Sequence, residues 1–281
     1  MDGLVDLHLH TLASDGRLTP TELVNLIASK GVTVAAISDH DTTDGIAEAV
    51  QAASAHPNLE IIPAIELSTD IPGDEIHMLG YFLQFEDEEF QGILRRFREG
   101  RVERGRMMVE KLAALGKPVD WERVKAFAGD GSVGRPHIAL AMVEAGYFKE
   151  PKEAFYEYLG RNGLAYAERE KMTPEEGVEM LARVGGSAVL AHPAGLEDLD
   201  TKVAQLKEAG LVGMEVHYAM YSEETIQRLL EVANRHGLIP CGGSDYHGLG
   251  NTGEQEPGLL GPPMESVERL MENSRDIVRK R

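Results

Sequence analysis

The stretch Asp6-Leu7-His8-Leu9-His10, continuing as Thr11-Leu12-Ala13-Ser14-Asp15-Gly16, decides how the rest of the chain is read. Leu4, Val5, Leu7 and Leu9 make it a short apolar strand that ends in a Ser-Asp-Gly turn. Side chains alternate across a strand, so His8 and His10 are expected on one face, with Asp6 behind them. Two imidazoles placed this way can grip one divalent metal. Asp15, just past the turn, can reach back to that ion or to a neighbouring one. A solitary His-x-His is more often a pair of buried histidines satisfied by backbone carbonyls. What tips the reading is that later segments end in the same chemistry.

Downstream, Thr19-Pro20-Thr21-Glu22 is a capping box that opens a helix through about residue 29, with Gly31 as its stop. Residues 33–38 form an apolar run of buried-strand type ending in Asp39-His40-Asp41, and a helix is expected over 44–53. A third strand, 59–65, ends at Glu66, and a fourth, 75–82, carries His77 inside it. From about 86 to 173 the texture changes to charged helical sequence with no strand-type run. Helices are expected there over 88–115, 121–127, 136–145 and 151–159. A second capping box, Thr173-Pro174-Glu175-Glu176, restores the strand–helix alternation. Strand 187–191 ends at His192-Pro193, strand 213–218 precedes a helix capped by Ser222, and strand 238–243 ends in Ser244-Asp245-Tyr246-His247. Between the first two of these strands a helix spans 203–209, and a last one covers 266–279.

Strands alternating with helices imply a parallel sheet closed, or nearly closed, into a barrel, with the active site at the C-terminal ends of the strands. The expected organisation is α/β: a barrel from 1–85 and 174–281, with 86–173 as a helical insertion serving as a lid. Six of the ten histidines fall at the strand-end positions or at His77, far more than a random scatter would put there.

Composition narrows the class. Of 281 residues, 42% are hydrophobic, enough for one barrel-sized core. The single cysteine, Cys241, excludes an internal disulfide and points to a reducing compartment. No secretory signal and no apolar run of about 18 residues is found, so a cytoplasmic protein without membrane partners is expected. A net charge of −19 argues against stable binding of long nucleic acids, though bound cations would invert the sign locally for a small anionic substrate.

With these segments in view, the chain resembles the PHP family, named for polymerase and histidinol phosphatase. The motifs that carry the resemblance are Asp6-Leu7-His8-Leu9-His10, Ser38-Asp39-His40-Asp41, His192-Pro193 and Ser244-Asp245-Tyr246-His247, together with Glu66 and His77. The insertion and Gly134-Arg135-Pro136-His137 resemble the branch that hydrolyses 3′,5′-nucleotide bisphosphates or small oligonucleotides. The resemblance implies a distorted seven-unit, TIM-like barrel with three divalent ions. One ion would lie among His8, His10, Glu66 and Asp245, and a second among Glu66, His77 and His192, with Glu66 bridging. Asp15, His40 and His247 would hold a third. Imidazole and carboxylate ligands without thiolate suit manganese, with iron or zinc as alternatives. The implied reaction is attack of metal-bound hydroxide on a phosphomonoester.

Other residues have plausible roles around such a centre. Asp39 reads as a partner that orients a histidine, and Asp41 and Asp44 as either the same or as helix caps, with Asp44 favoured as a cap. Arg135 opens a helix whose free N–H groups favour an anion, and Ser132 lies in the turn Gly129-Asp130-Gly131-Ser132, a candidate phosphate cradle. Arg101 and Arg104 share a helix face and can clamp a distal phosphate, or pair with Glu99 and Glu103 on a solvated face. Arg17 and His137 are further candidate contacts, and His217 a candidate proton donor to the leaving group. The leading expectation is removal of the 3′-phosphate from a small nucleotide bisphosphate. Alternatives are a 5′-to-3′ exoribonuclease on short oligonucleotides, stacking bases on Tyr147, Phe148, Phe155, Tyr156 or Tyr158, and a phosphatase for another small molecule such as histidinol phosphate. A catalytically silent regulatory module is disfavoured by the complete ligand set.

Overall fold

The computed structural model describes residues 3–71, 74–129, 131–168, 172–250 and 254–279. Seven strands line up in chain order: β1 (Leu4–Leu9), β2 (Val32–Ile37), β3 (Glu60–Ile71), β4 (Asp74–Tyr81), β5 (Ser187–Leu190), β6 (Gly213–Tyr218) and β7 (Ile239–Gly243). The loop after β7 returns to β1, where His10 N–H donates to the Tyr246 carbonyl at 3.0 Å and Asp245 N–H to the His8 carbonyl at 2.9 Å. The result is a distorted, nearly closed TIM-like barrel.

One strand runs against the expected parallel order. β4 pairs antiparallel with both β3 and β5. Two residues separate β3 from β4, enough for a hairpin but far short of the dozen or more that a parallel crossover needs. β3 also continues past its expected end at Ile65, because β4 supplies a partner out to Ile71. Glu66 and His77 therefore sit mid-strand at the barrel mouth, and the rest of the hairpin projects beyond it.

Helices α1 (Pro20–Ser29) and α2 (Ile46–Ala53) follow β1 and β2. Between β4 and β5 lie α3 (Glu88–Ala114), α4 (Trp121–Ala128), α5 (Arg135–Glu144) and α6 (Pro151–Ala154), the last passing into a single π-helical turn, Phe155–Leu159. Helix α7 (Pro174–Arg183) leads into β5. After it come α8 (Leu199–Ala209), α9 (Glu223–His236) and α10 (Met264–Arg279). Both predicted capping boxes form at Thr19 and Thr173. Asp44 does not cap: α2 starts after Gly45, and the exposed Asp44 carboxylate lies 3.8 Å from Arg98.

Leu7, Ala36, Ile62, Leu79, Val189 and Cys241, from strands all round the barrel, pack into one buried cluster. The N-terminal half of α3 belongs to the barrel, with Phe90, Leu94 and Phe97 against the outer cluster around Met78 and Leu181. Its C-terminal half changes partners: Met108 and Leu112 join Val124, Ile138, Met142 and Leu159 in a separate core. No helix among the described residues is long and apolar enough to cross a membrane.

Candidate metal centre

The barrel mouth gathers the candidate ligands from six segments of chain. A register shift between Asp6 and Leu9 breaks the alternation of β1. Leu7 then joins the barrel cluster, and Asp6 does not sit behind the histidines as expected. Its fully buried carboxylate instead accepts the N–H groups of Ser244 (3.0 Å), Gly258 (2.9 Å) and His8 (3.3 Å), which ties β1 to the chain leaving β7. His8 and His10 remain neighbours, with ring centroids 5.1 Å apart.

Glu66 lies at the centre. Its Oε2 is 3.2 Å from His8 Nε2, 3.3 Å from His10 Nε2 and 3.1 Å from His40 Nδ1. Its Oε1 is 2.8 Å from His77 Nδ1 and 3.1 Å from His192 Nε2. Asp245 Oδ1 approaches His8 and His10 at 3.2 and 3.0 Å, while Asp15 Oδ1 stands 3.5 Å from His247 Nε2. Three groups of donor atoms each fit within 4.8 Å: His8, His10, Glu66 and Asp245; His40, Glu66 and His77; and His10, Asp15, His40 and His247. His192 stands outside these groups but within reach of Glu66.

The residues suit divalent cations. His8 Nε2, both ring nitrogens of His10, Asp15 Oδ1, His40 Nδ1 and Glu66 Oε2 are all buried without a hydrogen-bond partner. Buried polar atoms are rarely left this way, and lone pairs converging on shared points with no donor between them are what a metal requires. Burial opposes ionisation of Glu66, but His40, His8 and His77 hold it well below the usual carboxylate range. Burial likewise opposes ionisation of Asp245, which His8, His10 and His247 keep low. Burial pushes His40 down to about 3, whereas His247, against the same penalty, is raised to about 10 by Asp15 and Asp245. The cluster therefore holds its carboxylates ionised. Asp41, His192 and Asp245 all have left-handed backbone (φ 52°, 30° and 53°), a strain that non-glycine residues carry chiefly at functional sites.

The residues expected around the centre are used differently from the sequence reading. Among the described residues, Asp39 makes no hydrogen bond to a histidine ring, although the charge of His10 acts on it. Its buried carboxylate accepts Thr11 N–H (2.7 Å), Thr11 Oγ1 (2.7 Å) and Ser14 Oγ (2.6 Å), so it folds the loop that presents Asp15. Arg101 is buried at 7% exposure, with Nε 2.6 Å from Asp41 and Nη2 2.6 Å from Ser68 Oγ. Arg135 pairs with Glu75 at 2.5 Å, and Arg104 stands 3.6 Å from the same carboxylate. Arg161 reaches Asp70 at 3.2 Å. These arginines latch the inserted helices onto the projecting β3–β4 hairpin. The alternative of a solvated face paired with Glu99 and Glu103 is thus not what Arg101 and Arg104 form among the described residues: they meet Asp41 and Glu75.

His217 is the clearest displacement. A register shift between Glu215 and His217 breaks the alternation of β6, so the side chain that meets the centre is Tyr218, whose hydroxyl donates to Asp245 Oδ2 at 2.7 Å. Burial alone lowers the His217 pKa, with no charge of the cluster contributing. Sequence reading missed both Tyr218 and Glu215, whose buried carboxylate meets His8 Nδ1 at 3.0 Å and His192 N–H at 2.8 Å. A buried-strand segment, Gly213 to Val216, containing one acid was the available signal.

Beside the Asp15 and His247 end of the cluster opens a cavity of about 670 Å³. Its walls include Leu12, Phe127, Leu140, Phe155 and Leu249, with Arg17, His137 and Lys152 among its polar lining. Ser132 is buried, its N–H donating to the Ala13 carbonyl at 3.1 Å and its Oγ without a hydrogen-bond partner. Asp130, part of the expected phosphate cradle, lies outside the described residues. Of the aromatics considered for base stacking, Tyr147, Phe148 and Tyr158 pack with the insertion core, Phe155 lines the cavity and Tyr156 is 91% exposed.

The model of the PHP domain matches residues 6–147, and the chain belongs to that family of phosphoesterases. It is accordingly a hydrolase of phosphoric esters. It is 31% identical to a 3′,5′-nucleoside bisphosphate phosphatase of Chromobacterium violaceum over 254 residues, covering 89% of each chain. It is 35% identical to the 5′-3′ exoribonuclease Rnm of Salmonella typhimurium, over 87% of this chain and 85% of that one. A Bifidobacterium adolescentis structure assigned to the metal-dependent phosphoesterases superposes with a TM-score of 0.86 at 30% identity, covering 96% of both chains.

Proposed function

We propose that this chain is a metal-dependent phosphomonoesterase that removes the 3′-phosphate of small nucleoside 3′,5′-bisphosphates. The observation that carries the reading is the cavity: it begins at Asp15 and His247 and continues between apolar and aromatic walls. A phosphoryl group at the cluster leaves a nucleoside facing Phe127, Phe155 and Leu140, and such walls hold a flat heterocycle without selecting by hydrogen bonds. The similarity to the bisphosphate phosphatase points the same way.

His8, His10, Glu66 and Asp245 would hold one ion, Glu66, His77 and His192 a second, and Asp15, His40 and His247 a third. Divalent ions held there, manganese foremost, would supply the Lewis acidity that activates water and balances charge on a phosphoryl group. The protein's own contribution is orientation. Tyr218 holds Asp245 by one oxygen and leaves the other to the histidines. Asp39 fixes the loop that carries Asp15. Arg17 and Lys152, on the cavity's polar lining, are the groups best disposed toward a second phosphate, with Arg135 at the start of α5 over the Phe155 ring.

A 5′-to-3′ exoribonuclease on short oligonucleotides is the second reading. The exposed Tyr156 next to Phe155 and the similarity to Rnm favour it. Steady-state hydrolysis by manganese-loaded enzyme separates the two. Adenosine 3′,5′-bisphosphate should exceed 3′-AMP, 5′-AMP, histidinol phosphate and a 5′-phosphorylated RNA trimer in kcat/KM. Faster release of mononucleotides from the trimer would make the exonuclease the better description, and a preference for histidinol phosphate would refute both.

A further inference from the structure

We propose that Glu215 is a positioning residue that sets how His8 and His192 face divalent ions, on both sides of Glu66. Glu215 lies on β6 with no solvent exposure, and among the described residues no lysine or arginine pairs with it. A buried carboxylate without a cationic partner is costly, so its two oxygens must be met by strong donors. Oε1 lies 3.0 Å from His8 Nδ1, and Oε2 accepts the His192 backbone N–H at 2.8 Å.

Each bond settles one ligand. A carboxylate can only accept, so the proton of the His8 ring belongs on Nδ1 and the lone pair on Nε2. That nitrogen is 3.2 Å from both Glu66 Oε2 and Asp245 Oδ1, the position a cation would share with them. His192 sits in the left-handed region (φ 30°, ψ 55°) directly before Pro193, a combination that the backbone resists. The bond from its N–H to Glu215 holds it there, with Nε2 3.1 Å from Glu66 Oε1. One side chain on β6 thus supports a ligand from β1 and another from the end of β5.

The arrangement makes Glu215→Gln informative although the change is nearly isosteric. A carboxamide offers one oxygen and one NH2 to two N–H donors. Either the NH2 is driven against the His192 N–H, or His8 accepts from it and carries its own proton on Nε2, pointing into the centre. Both outcomes weaken metal binding, and outer partners of metal-bound histidines typically influence affinity by about 10–100-fold. The inference rests on the metal centre and not on the choice of substrate, so metal binding tests it separately.

The test is a manganese titration of the metal-free parent and Glu215→Gln, following the electron paramagnetic resonance signal of free Mn²⁺, with urea unfolding of both metal-free proteins. Manganese affinity should fall by about 10–100-fold for at least one ion, with the metal-free unfolding midpoint close to the parent's. Equal affinities, or a lowered midpoint with affinity unchanged, would mean that Glu215 only supports the fold and would overturn the proposal. Should the variant not fold, ¹⁵N NMR of the zinc-loaded parent decides: His8 should carry its proton on Nδ1 and the metal on Nε2. The reverse tautomer refutes the assignment. A parent that binds no manganese or zinc would instead defeat the metal centre itself, a result distinct from either.

Discussion

Arg101→Met should cost the protein about 3–4 kcal/mol of stability, because it takes a buried cation away from the buried Asp41 carboxylate. Arg101 Nε lies 2.6 Å from Asp41 Oδ2, and the two residues are 7% and 0% exposed. Removing one partner of a buried pair typically costs about 3–5 kcal/mol, since the survivor keeps its desolvation penalty and loses its counter-charge. Asp41 Oδ1 also accepts the Ser68 N–H at 2.8 Å, which keeps the expected loss toward the lower end. Ser68 Oγ loses a donor as well, worth about 1 kcal/mol. Adding Asp41→Asn removes the charge that Arg101 had balanced and should recover about 2 kcal/mol, a coupling that a double-mutant cycle reads directly. The single tryptophan, Trp121, lies on α4, so its fluorescence follows the inserted helices while far-UV circular dichroism follows the whole chain. In urea, both signals should shift to lower midpoints in Arg101→Met, with Trp121 leading. Stability within about 0.5 kcal/mol of the parent, as for an ordinary surface substitution, with a raised KM for the bisphosphate would refute the reasoning. Arg101 would then be the substrate clamp that its helix spacing suggests.

Three further outcomes follow from the same geometry. Tyr218→Phe removes the 2.7 Å donor to Asp245 and should lower kcat or manganese affinity at least several-fold, whereas His217→Ala should leave both within about twofold; comparing the two variants in one assay tests the bulge in β6. Burial holds the His137 ring below its ordinary 6.5, partly offset by Asp15, and Nδ1 accepts the Gly134 N–H at 3.0 Å. Because the unfolded chain takes up this proton first, the parent should lose stability as pH falls below 6.5, and His137→Asn, which keeps an acceptor, should lose less in thermal melts across that window. Burial pushes the Cys241 thiol well above its ordinary range, so alkylation by iodoacetamide should be negligible in the native protein and rapid in urea; fast native labelling would contradict its buried position.

The candidate ligands were legible because the chemistry sits where strands end: His8, His10, His40, His192, Asp245 and His247 are marked by residue type against apolar runs. What lay hidden depends on partners distant in sequence. Alternation puts Asp6 behind the histidines, and a place at a strand end makes His217 a candidate proton donor, but one register shift in β1 and one in β6 change which side chains face inward, and a bulge leaves no residue signature here. The expected strands 59–65 and 75–82 leave β3's extension to Ile71 and the tight hairpin unmarked, so strand–helix alternation counts β4 as a parallel unit, whereas it runs antiparallel and carries His77 within its length. Helix spacing alone places Arg101 and Arg104 on one face but carries no sign that Asp41 and Glu75 arrive from the barrel to meet them. Asp39 lies next to a candidate ligand, and adjacency in sequence suggested a histidine partner where the fold supplies Thr11 and Ser14.

The most direct test is to add manganese stepwise to metal-depleted protein while measuring bound ions per chain and phosphate release from adenosine 3′,5′-bisphosphate. Activity should be absent without metal, rise only as more than one ion binds per chain, and yield 5′-AMP with one phosphate. In Glu66→Gln, binding and turnover should fall together. Full turnover by metal-depleted enzyme, or undiminished turnover by Glu66→Gln, would contradict a metal-centred phosphoesterase with Glu66 at its heart.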